Sequence, residues 1–362
     1  MMKYVFFDAG GSSSEDACLV LVAREVEMEI RCNRLTGSSH AVQDAIDALP
    51  PEGGTVTVPA GDWLCGPLQL RSRLTLTLEK GARILFEDTA REALAVEDVL
   101  VNGSPRKIRL PLIFAQDCED IYLTGAGVIV GSTGKTPEAA GEPFSPSVLG
   151  FFRCQRIGIK GLTIQDAPQY AVYLGECEQA AVRNCRIQSF SPRGGGFAID
   201  SCSGVLIDSC STGAGADGIR IASTRAVCRD VEVRRCVCDG GRYAVYAGNR
   251  GQHGFEKLYV HDCILRNSET GIRIDMPAGG EGILHDVRFE SLQVVSMHEE
   301  GVLVTAGSQD VTEPEGFALK NIYGSAASDT PVNLTELPAK LLDKILLRNV
   351  HVDRVPVLAM ES

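Results

Sequence analysis

Acidic and basic side chains recur between residues 217 and 269 at a spacing that could support acid–base chemistry. Asp217, Arg242 and Glu269 are 25 and 27 residues apart, and an arginine between two carboxyl groups favours their ionised forms. Two carboxyl groups in one site can divide acid–base work, one giving and the other taking a proton. We therefore regard Asp217 and Glu269 as candidate catalytic residues. A surface ion ladder of small net value is the alternative.

A second set of side chains is suited to binding sugars. Tyrosine rings stack on sugar rings, and guanidinium groups form paired hydrogen bonds with carboxylates. The candidate ligand contacts are Tyr173, Arg220, Arg242, Tyr246, Arg273, Asp275 and Asp200. Tyr243 is a candidate for proton transfer, and an ordinary solvated face is the alternative for the whole set. The acids do not cluster as in a calcium loop, so we expect no metal and no cofactor.

The elements that would position these residues form a repeat. Cysteines recur at intervals of 25 to 27 residues in two series, Cys177, Cys202 and Cys228, and Cys185, Cys210, Cys236 and Cys263. Short segments between them alternate apolar and polar residues as strands do. Such a period without helical segments predicts an all-β fold, a right-handed parallel β-helix of about ten coils. The cysteines should stack inside it as small apolar residues without disulfides.

The repeat also predicts how the chain is organised. We expect residues 1–362 to form a single β-helix domain, with an extension at 1–35 and the β-helix at about 54–355. Apolar residues at 42, 45, 46 and 49, followed by Pro50, predict a helix over 40–49 that caps the open edge. Residues 3–34 suggest a small strand pair over an edge or an oligomer contact. Residues 86–112 and 130–147 are expected to be loops over one end of a groove.

Composition excludes several classes of function. The chain has 35 basic and 47 acidic residues and a net charge of -12, which argues against a nucleic-acid partner because such binding depends on Lys and Arg. No apolar run is long enough to cross a membrane. The first residues reach an acid too early for a signal peptide, which predicts a cytoplasmic protein, although a mature secreted form is an alternative. A homo-oligomer is possible.

Several segments resemble glycoside hydrolase family 28, the polygalacturonases, over about residues 35–310. The segments AVQDAI at 41–46, GGTVTVPAG at 53–61 and GPLQL at 66–70 resemble the entry to the family's β-helix. Further along the chain, IDS at 199–201, DGIRI at 217–221 and GIRI at 271–274 occur in the order of the family's active-site blocks. The resemblance implies the β-helix fold and activity on a polysaccharide.

The active-site blocks depart from the family pattern, which is Asn-Thr-Asp, Asp-Asp, Gly-His-Gly and Arg-x-Lys. The corresponding residues are Gly195 for the first Asp, Ala216 and Asp217 for the Asp pair, Tyr243 for the His, Arg273 for the Arg and Asp275 for the Lys. Only Asp217 and Arg273 are retained, and the general acid would be missing at Ala216. The family's mechanism therefore cannot simply be carried over.

These observations predict a glycoside hydrolase with a rebuilt site, acting on a pectin-type or other uronate-containing polysaccharide or oligosaccharide. An acidic sugar is favoured over a neutral one because Arg220 and Arg273 could bind its carboxylate. The alternative is that the protein's own acids, Asp217, Glu269 and Asp275, occupy those arginines. The alternatives are a β-helix lyase, transferase or epimerase, and a non-catalytic glycan-binding or assembly protein.

Overall fold

The computed structural model describes residues 3–8, 18–24, 27–32, 40–86, 94–101, 104–131, 146–189, 191–248, 253–277, 282–306 and 313–355. Within them the strands, numbered β1 to β34 in chain order, wind into a parallel β-helix. Each full coil contributes one strand to each of three sheets, and the third sheet has ten strands. The predicted all-β solenoid of about ten coils is confirmed.

The first sheet runs the length of the β-helix. Its strands are β3 (Glu27–Arg31), β4 (Gly54–Val58), β7 (Leu74–Leu78), β12 (Glu119–Gly125), β15 (Gln155–Lys160), β18 (Glu178–Arg183), β21 (Ser203–Asp208), β24 (Cys228–Arg234), β27 (Gly254–His261), β30 (Ile283–Met297), β32 (Phe317–Ala326) and β34 (Ile345–Arg354). Two antiparallel strands, β1 (Lys3–Asp8) and β2 (Cys18–Arg24), extend it at its N-terminal edge. The predicted N-terminal strand pair is therefore part of a three-stranded antiparallel ribbon.

The second sheet is formed by shorter strands. They are β5 (Gly61–Cys65), β8 (Ala82–Phe86), β13 (Val128–Val130), β16 (Thr163–Gln165), β19 (Arg186–Gln188), β22 (Ser211–Gly213), β25 (Val237–Asp239) and β28 (Ile264–Arg266). The second halves of β30, β32 and β34 continue it.

The third sheet carries the candidate site residues. Its strands are β6 (Leu68–Gln69), β11 (Ile113–Gln116), β14 (Leu149–Phe152), β17 (Tyr170–Gly175), β20 (Gly195–Asp200), β23 (Ile219–Ala222), β26 (Tyr243–Ala247), β29 (Thr270–Met276), β31 (Val302–Ala306) and β33 (Val332–Asn333). A separate antiparallel hairpin consists of β9 (Val96–Val101) and β10 (Ser104–Arg109). The segment expected to be a loop at 86–112 thus contains a hairpin, and residues 87–93 and 132–145 lie outside the described residues.

Sharp corners between the sheets explain the cysteine repeat. The residue before each of the four cysteines of the second series has a left-handed φ between 51° and 55°. These residues are Asn184, Ser209, Arg235 and Asp262. One such residue redirects the chain, so the following cysteine points inward. Cys185, Cys210, Cys236 and Cys263 are buried and free of disulfides, and the Cys236 amide donates to the Cys263 sulfur at 3.4 Å. The predicted interior ladder is confirmed.

Helices are short in this fold. The predicted cap is confirmed as α1 (Ala41–Asp47), which buries Val42, Ala45 and Ile46 against the first coil. A second helix, α2 (Ala339–Leu342), lies near the C-terminal end. Among the described residues, no helix is long and apolar enough to cross a bilayer.

Candidate active site

The outer face of the third sheet carries two parallel rows of side chains. Strand register places Tyr173, Ala198, Arg220, Tyr246 and Arg273 side by side on successive strands. The predicted tyrosine and arginine row therefore exists. Two residues further along the strands, a second row includes Gly175, Asp200 and Ala222 on β17, β20 and β23, and Asp275 occupies the corresponding position on β29, two residues beyond Arg273.

A cavity of about 450 Å³ opens over the N-terminal part of these rows. Tyr173 and Arg220 line it from either side of Ala198, and Asp200 lines it from the second row. The hairpin strand β10 contributes Ile108 and Arg109 from above. The rings of Phe114, Phe152 and Tyr173 follow one another with centroids 5.6 and 5.2 Å apart. The cavity thus combines aromatic surface with carboxylate and guanidinium groups, as sugar sites require.

Asp217 lies immediately beside this cavity but is almost completely buried, with 6% of its surface exposed. The Tyr170 hydroxyl donates to Asp217 Oδ2 at 3.2 Å, and Arg220 Nη1 donates to the same oxygen at 3.2 Å. Burial and the neighbouring Asp217 charge raise the pKa of Tyr170, which keeps the phenol protonated. Both partners line the cavity, whereas Asp217 is not among the described lining residues.

The C-terminal part of the rows forms a closed network. Tyr246 donates to Asp275 Oδ2 at 2.7 Å, and Thr305 and Arg273 Nε bind Asp275 Oδ1 at 2.7 and 2.9 Å. Arg273 also donates to the Tyr243 hydroxyl at 3.2 Å. Burial is the main cause of the raised pKa of Tyr246, with the Asp275 charge adding to it. The network satisfies its own charges.

The corner between the third and first sheets forms one rim of the cavity. Arg153, Glu176 and Ser201 occupy the same position on successive coils, with left-handed φ values of 49°, 54° and 57°, and all three line the cavity. Glu176 Oε1 forms an ion pair with Arg225 Nη1 at 3.0 Å. Asp200 Oδ1 accepts hydrogen bonds from the Thr224 amide and the Ser201 hydroxyl, both at 2.9 Å.

Residues 52–350 match the family model described as glycosyl hydrolases family 28. The chain belongs to this family. Curated relatives include a probable polygalacturonase from Vitis vinifera, 26% identical over 291 residues, and an exopolygalacturonase from Zea mays, 22% identical over 335 residues. The alignments cover 72% of this chain and 58% of the Vitis protein, and 83% and 76% for the Zea protein. The chain therefore spans little more than half the length of the Vitis relative.

Solved structures share the fold of this family-28 chain. An exopolygalacturonase from Thermotoga maritima superposes with a TM-score of 0.66 at 20% identity, covering 87% of this chain and 84% of that one. A polygalacturonase from Erwinia carotovora superposes with a TM-score of 0.70 at 16% identity, covering 89% and 92%. The parallel β-helix is therefore common to all three chains.

Gly195, the position that the sequence comparison above aligned with the first Asp of the family blocks, pairs with Tyr170 on the neighbouring strand. A Cβ atom at Gly195 would lie 2.5 Å from both Cδ1 and Cε1 of Tyr170. These contacts are closer than carbon atoms tolerate, so the tyrosine ring requires glycine there. Tyr170 thus fills the space beside Gly195, and its hydroxyl donates to Asp217.

The surroundings predicted for Arg242 differ in the structure. We expected Arg242 to bridge Asp217 and Glu269, but the cation bound to Asp217 is Arg220. Arg242 stacks over Tyr243 at 4.9 Å and approaches Glu269 only at 3.9 Å, with both charged side chains more than half exposed. Glu269 is not among the described residues that line the cavity. Tyr243 is buried, and the guanidinium groups of Arg242 and Arg273 lie over its ring. The catalytic roles predicted for Glu269 and Tyr243 stay predictions.

The arginines expected to receive an acidic ligand are bound to the protein's own acids. Arg220 pairs with Asp217 and Arg273 pairs with Asp275. Only Arg220 of these two lines the cavity. Sequence reasoning did not identify Glu176 and Arg225, because corner and loop residues do not follow the alternation that marks the strands. It also missed Tyr170, which begins strand β17 and whose contact with Asp217 depends on packing across coils.

Proposed function

We propose that the protein hydrolyses glycosidic bonds of a uronate-containing, pectin-type oligosaccharide or polysaccharide in the third-sheet cavity. Family membership supports the reaction class, and the names of the relatives support the substrate class. The observation that carries the proposal is the arrangement around Asp217, the retained member of the family's carboxylate pair. Its two partners, Tyr170 and Arg220, form the polar wall of a cavity whose opposite wall is aromatic.

The cavity residues divide into a stacking wall and a charged wall. Tyr173, with Phe152 behind it, offers a ring face to a sugar. Arg220 uses Nη1 for Asp217, and its remaining N–H groups are suited to a uronate carboxylate. Asp217 holds this guanidinium in place. The charge of Asp217 therefore supports substrate binding without direct contact between Asp217 and the sugar.

The test is incubation of the full chain with trigalacturonate and, separately, with the neutral galactotriose. We expect new reducing ends and shorter products from the acidic sugar. Unsaturated products would instead show a lyase, and binding without product would show a glycan-binding protein. Asp217→Asn should remove most of the hydrolysis without unfolding the chain, because the variant loses the charge that orients Arg220. Near-normal turnover by this variant would contradict the role of Asp217.

A further inference from the structure

We propose that Asp200 and Glu176 carry out the acid–base chemistry of the cavity, and that Asp217 is a positioning residue for Arg220 and Tyr170. This inference rests on the proposed hydrolytic function. It moves the reacting groups from the beginning of strand β23 to the ends of strands β20 and β17.

The first reason is the enclosure of Asp217. Its carboxylate lies behind Tyr170 and Arg220, and 6% of the residue is exposed. A water or a sugar could reach it only if both partners moved. Because Gly195 has no side chain, the Tyr170 ring fills the space above it and keeps its place in front of the Asp217 carboxylate. A group that touches the reacting atoms must be within hydrogen-bond reach of them, and the buried position of Asp217 does not offer that.

The second reason is the open position of Asp200. Its neighbours in the row, Gly175 and Ala222, carry no side chain or only a methyl group. A Cβ atom at Gly175 would lie 2.8 Å from Cε1 of Tyr173, so glycine allows the ring to lie against the strand. Tyr173 and Arg220 stand two strands apart, about 10 Å at the usual strand spacing. A sugar ring can enter this slot above Ala198 and contact Asp200.

The third reason is a second carboxyl group on the neighbouring coil. The Glu176 amide donates to the Asp200 carbonyl oxygen at 2.8 Å, and both side chains line the cavity. Strand spacing and rise place their Cα atoms roughly 6 Å apart. Glycosidases use two carboxyl groups separated by about 5 to 9.5 Å, and this pair can meet that requirement.

The surroundings assign one role to each group. Asp200 accepts two hydrogen bonds on Oδ1, which fix the orientation of its carboxyl group at the cavity, and we assign it the role of the base. Glu176 is held by Arg225 through an ion pair whose side chains are 35% and 50% exposed, and such pairs exchange at little cost. A uronate carboxylate can therefore take Arg225 for itself. Glu176, released from this ion pair at the edge of the cavity, is assigned the role of the acid.

The resulting step is balanced. The oxygen of a water molecule bonds to the anomeric carbon and gives one proton to Asp200. The bond between that carbon and the glycosidic oxygen breaks, its electron pair stays on the leaving oxygen, and that oxygen takes the proton of Glu176. Proton exchange with solvent returns both carboxyl groups to their starting states. Because Arg225 is withdrawn by the substrate's own carboxylate, acidic sugars are cleaved and neutral ones are not.

The experiment compares Asp200→Asn, Glu176→Gln and the control Glu178→Gln on trigalacturonate. Glu178 is exposed on the first sheet, outside the described lining of the cavity. We expect kcat to fall at least about 100-fold in the first two variants and to stay unchanged in the control. Thermal unfolding of each variant checks the fold, and Glu176→Gln leaves the backbone contacts of Asp200 in place. A further variant, Asp200→Ala, tests the role of the base. Added azide should restore its turnover by attacking the anomeric carbon, and the glycosyl azide product is identified by its mass.

The outcomes separate this inference from the proposed function. If wild type releases reducing ends while Asp200→Asn and Glu176→Gln keep their kcat, the inference is overturned and the hydrolytic function stands. Absence of azide rescue together with an unchanged kcat in Glu176→Gln overturns it as well. If wild type gives no product from the acidic sugar, both the function and the inference fail.

Discussion

The outer face of the third sheet has two halves with the same backbone and opposite chemistry. Over strands β14 to β20 the rows line an open cavity, and Tyr173 and Asp200 lie at its surface. Over strands β26 to β31 the rows close into a network in which Asp275 binds three neighbouring side chains. Arg220 lies at the boundary between them. The difference shows that residue type alone does not mark a site in a β-helix, because a row also needs groups that its neighbours leave available.

The largest expected effect is on the free energy of unfolding. It comes from replacing Asp by Asn at two positions of the second row, 275 and 200. Asp275→Asn should lower the free energy of unfolding by about 2 to 3 kcal/mol, because Arg273 and the buried Tyr246 hydroxyl lose a charged partner. Asp200→Asn should lower it by about 1 kcal/mol or less. Denaturant unfolding measures both. Equal losses at the two positions would remove the distinction between the halves.

The next effect concerns the packing of Tyr170. Gly195→Ala should destabilise the chain by about 1 to 3 kcal/mol and reduce hydrolysis, because the added methyl group displaces the ring that binds Asp217. Gly213→Ala is the matched control, since a Cβ atom there would meet only the Ile187 carbonyl oxygen at 3.7 Å. Unfolding and initial rates are measured for both. A harmless Gly195→Ala would show that the tyrosine is not fixed by this glycine.

A smaller effect is expected for the aromatic wall. Tyr173→Leu should raise KM for trigalacturonate about threefold to tenfold, the value of one lost ring stack. Tyr259→Leu is the control, because Tyr259 stacks on His261 of the first sheet at 4.0 Å, away from the cavity. Initial rates over a range of substrate concentrations separate KM from kcat. An unchanged KM in Tyr173→Leu would mean that the sugar does not lie in this half.

The last effect appears only when the pH is lowered, and it belongs to a carboxylate outside both halves. Burial opposes ionisation of Asp208, but hydrogen bonds from Arg235, Ser209 and Arg234 outweigh it and lower its pKa to about 2. The folded pKa lies below the unfolded value of about 3.9, so this stabilisation is present above about pH 4 and disappears as the pH falls towards 2. Urea unfolding between these pH values should show a loss in wild type that is reduced in Asp208→Asn. The same pH dependence in both proteins would contradict the assignment.

Much of the fold could be predicted from the cysteine spacing. A cysteine that follows a left-handed corner residue must point inward, so its recurrence every 25 to 27 residues in the sequence fixes the coil length and the register of the rows. The expectation of a loop at 86–112 is wrong for residues 96–109, which form a hairpin, although the dipeptide Asn102-Gly103 is typical of a tight hairpin connection.

The contacts of the site were less predictable. Register places Asp217 and Arg242 on neighbouring coils, but it does not say whether Arg242 turns towards the cavity or over Tyr243. The pairing of Asp217 with Arg220 depends on the ring of Tyr170, which in turn depends on the absence of a side chain at Gly195. Such three-residue dependencies across coils follow from packing, and no spacing in the sequence expresses them.

The stacking of one residue per coil at each position has a consequence for how this scaffold can change during evolution. Neighbouring strands of the third sheet are separated by about 4.8 Å, and their backbones are interchangeable. Exchanging an acid for glycine on one strand and gaining an acid on the next therefore translates a reacting group along the groove without any insertion or loop rearrangement. A β-helix can in this way move its chemistry in fixed increments, while the groove that receives a ligand keeps the same axis.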